Sequence, residues 1–328
     1  MISARTQKEH KMNYRAKFIN ALQMNDIELL RGIPKADLHN HFYLAGNRDY
    51  IHRKTGVNIP SLDHNLVNMD EMHSWVNKNI GAILEGKSGR ALAVEACFAQ
   101  AVQDGVSILE IGEDIWANGY FYNNHVEELL EVFNSAHQMI APDIDLRLQI
   151  GLSRHCKIQD LEEWIAPFWE HECFYSIDLY GDELAQPIEN FKGIYRKAKE
   201  KGIILKAHVG EWGDADSVKQ AVSELELNEV QHGIAASQSP QVMNWLSDHN
   251  IQLNICPTSN VMLGRVESIK KHPIRELFDR GIKVTINSDN VLIFDSPVSG
   301  EYLKLFNEGV FTAEELDIIR MNGLTNAR

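Results

Sequence analysis

The stretch "KADLHNHF", residues 35–42, sets His39 and His41 two residues apart. Side chains alternate along a strand, so on a strand both imidazoles point the same way. Two converging imidazoles can share a divalent ion; in isolation such a pair is more often a surface or hydrogen-bonded pair. Three other short runs carry residues of matching chemistry. "KAHVGE" ends on His208 and Glu211, "EVQHGIA" carries His232, and "KVTINSDN" carries Asp289. His39, His41, His208 and Asp289 offer three imidazoles and a carboxylate, a donor set that suits Zn2+ or another first-row divalent ion with a place left for water. Activating that water calls for a base or an orienting group, and neutral His232 suits the task. A leaving group or ring nitrogen needs a proton, which a glutamic acid at Glu211 can supply. The plainer reading of Glu211, a carboxylate at a helix N-terminus, is worth only about 0.3–1 kcal/mol. These residue types together point to a metal hydrolase.

The elements that must hold them recur along the chain. Eight short apolar runs bounded by turn residues cover 35–42, 107–114, 145–154, 174–183, 203–211, 229–235, 251–260 and 283–290. Helical patterns separate most of them. "NHVEELLEVFNSAHQMI" has apolar residues at helical spacing, and "NFKGIYRKAKEKG" ends on Gly202. "SPQVMNWLSDHN" and "HPIRELFDRG" carry proline early, where a first helical turn tolerates it. This alternation predicts a single α/β domain over residues 1–328, a (β/α)8 TIM-type barrel. An open doubly wound sheet is the structural alternative, but no GxGxxG or GxxxxGK[ST] follows an early strand. Buried parallel strands should be apolar inside, so polar residues at their C-terminal ends mark the face where barrels carry active sites.

Residues 43–106 are too many for one crossover helix. They include the helical pattern "MDEMHSWVNKNIGAIL" and are read as a lid over the catalytic face. Trp75 in this insertion is either an apolar wall of the pocket or a core aromatic of the lid. Tyr43 either stacks on a base or packs beneath the lid.

Composition narrows the partners. With 32 Lys+Arg against 46 Asp+Glu, the chain lacks the bulk positive charge that nucleic acid or an anionic membrane would favour. Cys97, Cys156, Cys173 and Cys256 are scattered with no CxxC pair, which argues against a thiolate zinc site and reads as buried thiols of a reducing compartment. The N-terminus lacks the apolar core of a signal peptide, and no run approaches the ~20 apolar residues of a membrane span. The expectation is a soluble cytoplasmic protein acting on a small molecule; oligomeric state is not legible. The final "MNGLTNAR" stops earlier than the last helix of such a barrel is expected to end.

The motifs, taken in order, resemble those of the adenosine deaminase family of metal-dependent hydrolases. "PKADLHNHF", "IDLYGDE", "AHVGE", "QHG", "CPTSN", "HPI" and "VTINSDN" follow one another from about residue 33 to the end. HxH alone is shared by many hydrolases; the ordered series is specific. The resemblance implies one Zn2+ per chain on His39, His41, His208 and Asp289. It implies that His232 acts on the activated water, that Glu211 protonates purine N1, and that the Gly181 N–H donates to N3, where backbone can approach closely. The implied reaction is hydrolytic deamination of an aminopurine nucleoside or base, foremost adenosine to inosine and ammonia. It is not the cytidine-deaminase type of site, which needs a PCxxC pair.

Three departures bear on the substrate. Asn290 stands where many members have a second aspartate that contacts N7, and its amide can donate there. Tyr43 and its neighbours replace the aspartate–glycine that follows HxH and holds the sugar. "LEIGEDIWANGYF" replaces the glutamate–x–arginine of the second strand. Adenine, a 5′-modified adenosine or an N6-substituted adenine are the alternatives to adenosine. A purine-binding protein without activity would be expected to have lost a ligand or the acid. A two-metal amide or phosphotriester hydrolase would be expected to carry a bridging lysine on a middle strand; "SIDLYGDE" offers none.

Overall fold

The computed structural model describes residues 4–62 and 64–325, with side chains from residue 13. Eight strands occur in chain order: β1 (Lys35–Asp37), β2 (Val106–Asp114), β3 (Asp145–Ser153), β4 (Phe174–Tyr180), β5 (Ile204–Val209), β6 (Glu229–His232), β7 (Gln252–Ile255) and β8 (Lys283–Ile286). Each pairs in parallel with the next. A single parallel bridge, Asn40 to Asp289, joins the last strand's end to the first and nearly closes the (β/α)8 barrel. There the Asp289 N–H donates to the His39 carbonyl at 3.0 Å and the His41 N–H to the Asp289 carbonyl at 3.3 Å. The barrel is thus sealed by the same backbone that carries three of the residues expected to do chemistry.

Ile177, Leu179, Ala207, Val230, Leu253 and Val284 are fully buried, as strands covered on both faces require. The helix Pro240–Asp248 begins with Pro240 in its first turn and Ser239 accepting from the Val242 N–H. Gly202 follows the helix Lys192–Glu200 at φ +72°, the left-handed stop that glycine adopts without strain.

Apart from β2, which begins one residue earlier than its run, the observed strands are shorter than the sequence runs. "CPTSN" leaves the sheet at once, because Pro257 has no N–H for the ladder and opens the helix Pro257–Met262. His39 and His41 lie beyond the last ladder residue of β1, and Glu211 beyond that of β5. Residues 43–106 also divide differently. Their last third is the helix Gly86–Gln103, which packs on β2 and the helix Val126–Ile140 as an ordinary crossover helix does. The inserted part therefore ends near residue 85 and holds the helices Arg48–Thr55 and Met69–Val76. The helix Ala4–Gln23, for which the sequence raised no expectation, packs on Ala313–Leu324. Cys97 and Cys256 are buried, but Cys173 is exposed, so the expectation of buried thiols holds only in part. Among the described residues no helix is long and apolar enough to cross a membrane.

One polar layer crosses the barrel interior. Lys206, fully buried, meets Glu110 at 2.7 Å and Glu229 at 2.8 Å. It sits two residues before His208, hence on the same face of β5 and one layer deeper. Burial raises both carboxyls; Lys206 nonetheless draws Glu229 below its ordinary value, while Glu110 stays above. Replacing Lys206 by Met strands two carboxylates without their cation, and the expected loss of stability is about 3–5 kcal/mol, read from denaturant unfolding.

Candidate active site

His39, His41 and His208 present ring nitrogens within 4.8 Å of one another at the barrel mouth. Their outer nitrogens explain why. His39 Nδ1 lies 2.9 Å from the Asn254 carbonyl, which can only accept, so Nδ1 carries the proton and Nε2 a lone pair. His208 Nδ1 lies 3.2 Å from Asp178 Oδ1, which again leaves Nε2 free to coordinate. The two Nε2 atoms stand 3.0 Å apart. Asp289 Oδ1 is 3.4 Å from His41 Nε2 and 3.9 Å from His39 Nε2. Ligands at about 2.0–2.2 Å from one ion lie no more than about 4.4 Å apart, so these separations fit a single cation. Burial and the neighbouring imidazoles hold His39 and His232 well below the ordinary histidine value, and burial lowers His41. His208 is raised: burial opposes its charge, but Asp178, Asp289 and Glu211 together outweigh it.

Cys256 offers a second donor group with His39 and His232. Burial, then Asp289, pushes its thiol well above the ordinary range. A neutral thiol is a poor ligand, so the imidazole–carboxylate set is the better one.

Asp289 and His232 both sit at left-handed backbone angles, φ +58° and +63°. Non-glycine residues hold such angles at a cost of about 1–3 kcal/mol, and they cluster where side chains must be aimed. Asp289 Oδ2 accepts from Ser259 at 2.6 Å, and Oδ1 from the Asn290 amide at 2.7 Å. The side-chain Oδ1 of Asn290 has no hydrogen-bond partner among the described residues.

Glu211 reaches the same place from the loop after β5. Its carboxyl accepts from Trp212 Nε1 at 2.9 Å, and Oε1 lies 3.5 Å from His232 Nε2. Burial, then Asp289, raises it to about 8, so it is an acid at neutral pH. The loop is pinned by Glu183, which accepts the N–H groups of Gly210, Glu211 and Trp212 at 2.6, 3.1 and 2.7 Å. Glu183 closes the "IDLYGDE" motif; a run ending in an acid gave no sign of which backbone it would hold.

Asn260 and His272, also within quoted motifs, complete the arrangement. The Ile274 N–H donates to His272 Nδ1 at 3.1 Å, which puts the His272 proton on Nε2. That N–H donates to Asn260 Oδ1 at 3.2 Å and so turns the amide NH2 toward His232 Nδ1 at 3.1 Å and Glu211 Oε1 at 3.4 Å. His232 then keeps its own proton on Nε2, facing the cavity as a donor.

The cavity has a volume of about 820 Å3, the size range of small-molecule sites. His41, Glu211, His232, Asp289 and Asn290 line one end. Leu44, Met69, Met72 and Leu263 form apolar walls. Trp75 is not among the lining residues and packs against the buried cluster of Leu66, Met72, Leu263, Ile293 and Phe294, the core-aromatic alternative. Gly181 lines the cavity at φ +91°, and a Cβ there would come within 3.2 Å of His155 Nδ1. Tyr43 lines it with its ring 4.5 Å from the Arg90 guanidinium.

The chain is similar to known proteins of one family. The sequence model of the adenosine deaminase family matches residues 34–328. A Treponema pallidum (strain Nichols) protein provisionally named adenosine/adenine deaminase is 33% identical over 90% of this chain and 100% of its own length. An adenine deaminase of Chlorobium phaeobacteroides (strain BS1) is 33% identical over 90% of each chain. In three dimensions the chain is similar to an adenine deaminase from Arthrobacter aurescens, with a TM-score of 0.77, 23% identity and coverage of 90% and 94%. The chain belongs to the adenosine deaminase family and is a deaminase of the hydrolase class.

Proposed function

We propose that the protein deaminates an aminopurine nucleoside by hydrolysis, adenosine before others, with one Zn2+ held by His39, His41, His208 and Asp289. The observation that carries this reading is the convergence of three imidazole nitrogens and one carboxylate beside Glu211, a carboxyl that burial keeps protonated. The ion, when bound, supplies the Lewis acidity that makes water nucleophilic near neutral pH. The chain's own groups do the rest. Glu211 donates its proton to purine N1 and so makes the adjacent carbon electrophilic. His232, protonated on Nε2, orients the attacking water, which leaves Asp289 as the group that takes the water's proton. The Gly181 N–H and the Asn290 amide hold N3 and N7, and residues 43–85 cover the mouth as a lid that excludes water.

Asp178 has a supporting part. Its contact with His208 fixes the tautomer that coordinates, and Asp178→Ala should weaken zinc binding about 10- to 100-fold, read by chelator competition. The substrate class is tested by ammonia release from adenosine, adenine, 5′-deoxyadenosine and AMP. Adenosine should be turned over best. Turnover of adenine alone would keep the reaction and change the substrate, and no ammonia from any of them would overturn the reading.

A further inference from the structure

The wall of the same cavity also holds a buried ion pair that the reaction leaves without a task. Arg90 donates to Glu113 Oε1 at 2.8 Å, and the Asp114 N–H donates to the same oxygen at 3.0 Å. Arg90 is 6% exposed and Glu113 3%. Both line the cavity. Arg90 is gripped by rings: Tyr43 at 4.5 Å, Phe121 at 4.8 Å and Trp116 at 5.8 Å. So held, the guanidinium fixes one carboxylate oxygen of Glu113 and leaves the other, buried with it, to find its own partner. That second oxygen, Oε2, has no hydrogen-bond partner among the described residues. An unpaired buried acceptor costs about 1–3 kcal/mol unless something fills it. Neighbouring Asp114 is different: its carboxyl already accepts from Ser153 and from the Trp116 N–H.

The chemistry of the missing partner follows from the charges. Arg90 is the one lysine or arginine among the described lining residues, and Glu113 neutralises it. Glu85, Asp114 and Asp289 add further carboxyl groups to the wall. A phosphate monoester would meet no spare lysine or arginine here and would face these carboxyl groups. A neutral donor would satisfy Oε2. The cavity is also much larger than a bare purine needs, which leaves room beyond the ring for a sugar.

We propose that Glu113, clamped by Arg90, accepts a hydrogen bond from a sugar hydroxyl of the substrate and so selects nucleosides over free bases and nucleotides. This rests on the aminopurine reading above. The test is steady-state kinetics of the zinc-loaded Glu113→Gln variant with adenosine, adenine and the 2′-, 3′- and 5′-deoxyadenosines. Glutamine can accept from Arg90 and Asp114 only by pointing its NH2 where Oε2 stood, so it presents a donor to a donor. Expected are a KM for adenosine raised roughly 10- to 100-fold, the scale of a hydrogen bond to a charged group, a kcat within about threefold of wild type, and unchanged kinetics with adenine. One of the three deoxyadenosines should be insensitive to the substitution, because it lacks the hydroxyl concerned. Equal losses for adenine and adenosine, or equal sensitivity of all three deoxyadenosines, would overturn the proposal. Binding of adenosine by calorimetry separates the two readings. If the wild type binds adenosine without releasing ammonia, the deaminase reading fails, and the subsite still stands or falls on whether Glu113→Gln weakens that binding. Arg90→Lys, which retains the charge but not the fork, should show a smaller KM effect of the same sign if Glu113→Gln proves unstable; no KM effect would count against the clamp.

Discussion

Glu211→Gln should bind zinc as the wild type does and lose about three orders of magnitude in kcat. Glutamine keeps the shape and can still accept from Trp212, but it has no proton to give to a ring nitrogen. General acids contribute roughly 10²–10⁴-fold. The wild-type pH profile should report the same group. Burial lifts the Glu211 carboxyl to about 8, so the acid form is present at neutral pH and is lost as pH rises through that value. A bound cation favours the carboxylate, which places the alkaline limb at or below about 8. Near-wild-type turnover in Glu211→Gln, with zinc content confirmed, would remove Glu211 as the acid.

Asp289→Ala should lose both metal and turnover. Its carboxylate lies 3.4 Å from His41 Nε2 and 3.9 Å from His39 Nε2, and its other oxygen is held by Ser259 at 2.6 Å. Removing it deletes a ligand and the proposed base together, so kcat should fall at least about 10³-fold even in excess zinc. Alanine is also poorly suited to φ +58°, which confounds chemistry with backbone strain. Asp289→Asn is the control, because asparagine tolerates the left-handed angle and can keep the Ser259 contact. It should retain the fold by thermal melt and still lose most activity. An active Asp289→Asn would assign the base elsewhere.

These two residues show how the sequence could be read. The barrel and its strand order were legible because buried parallel strands are continuous apolar runs, and a polar residue at the end of one stands out. His39, His41, His208, Glu211, His232 and Asp289 were found that way, and they share one cavity or its immediate border. What stayed hidden was what depends on neighbours distant in sequence. Glu183 holds a loop 27–29 residues away. Arg90 sits in an alanine-rich helix that looked like part of an insertion, and its partner Glu113 lies 23 residues further on. In sequence His232 can be a base or an orienting group; its proton position follows from a chain through Asn260 and His272 that only packing assembles. The strand ends were overrun for a related reason. Polar residues that leave the ladder to face the mouth look, in one dimension, like its continuation.

The most direct measurement is a titration of Zn2+ into metal-stripped protein, following ammonia release from adenosine. One divalent ion bound by His39, His41, His208 and Asp289 gives no ammonia without metal, a linear rise, and a break at about one equivalent. Ammonia release that persists after complete metal removal, or a break at two equivalents, would contradict the single-ion site.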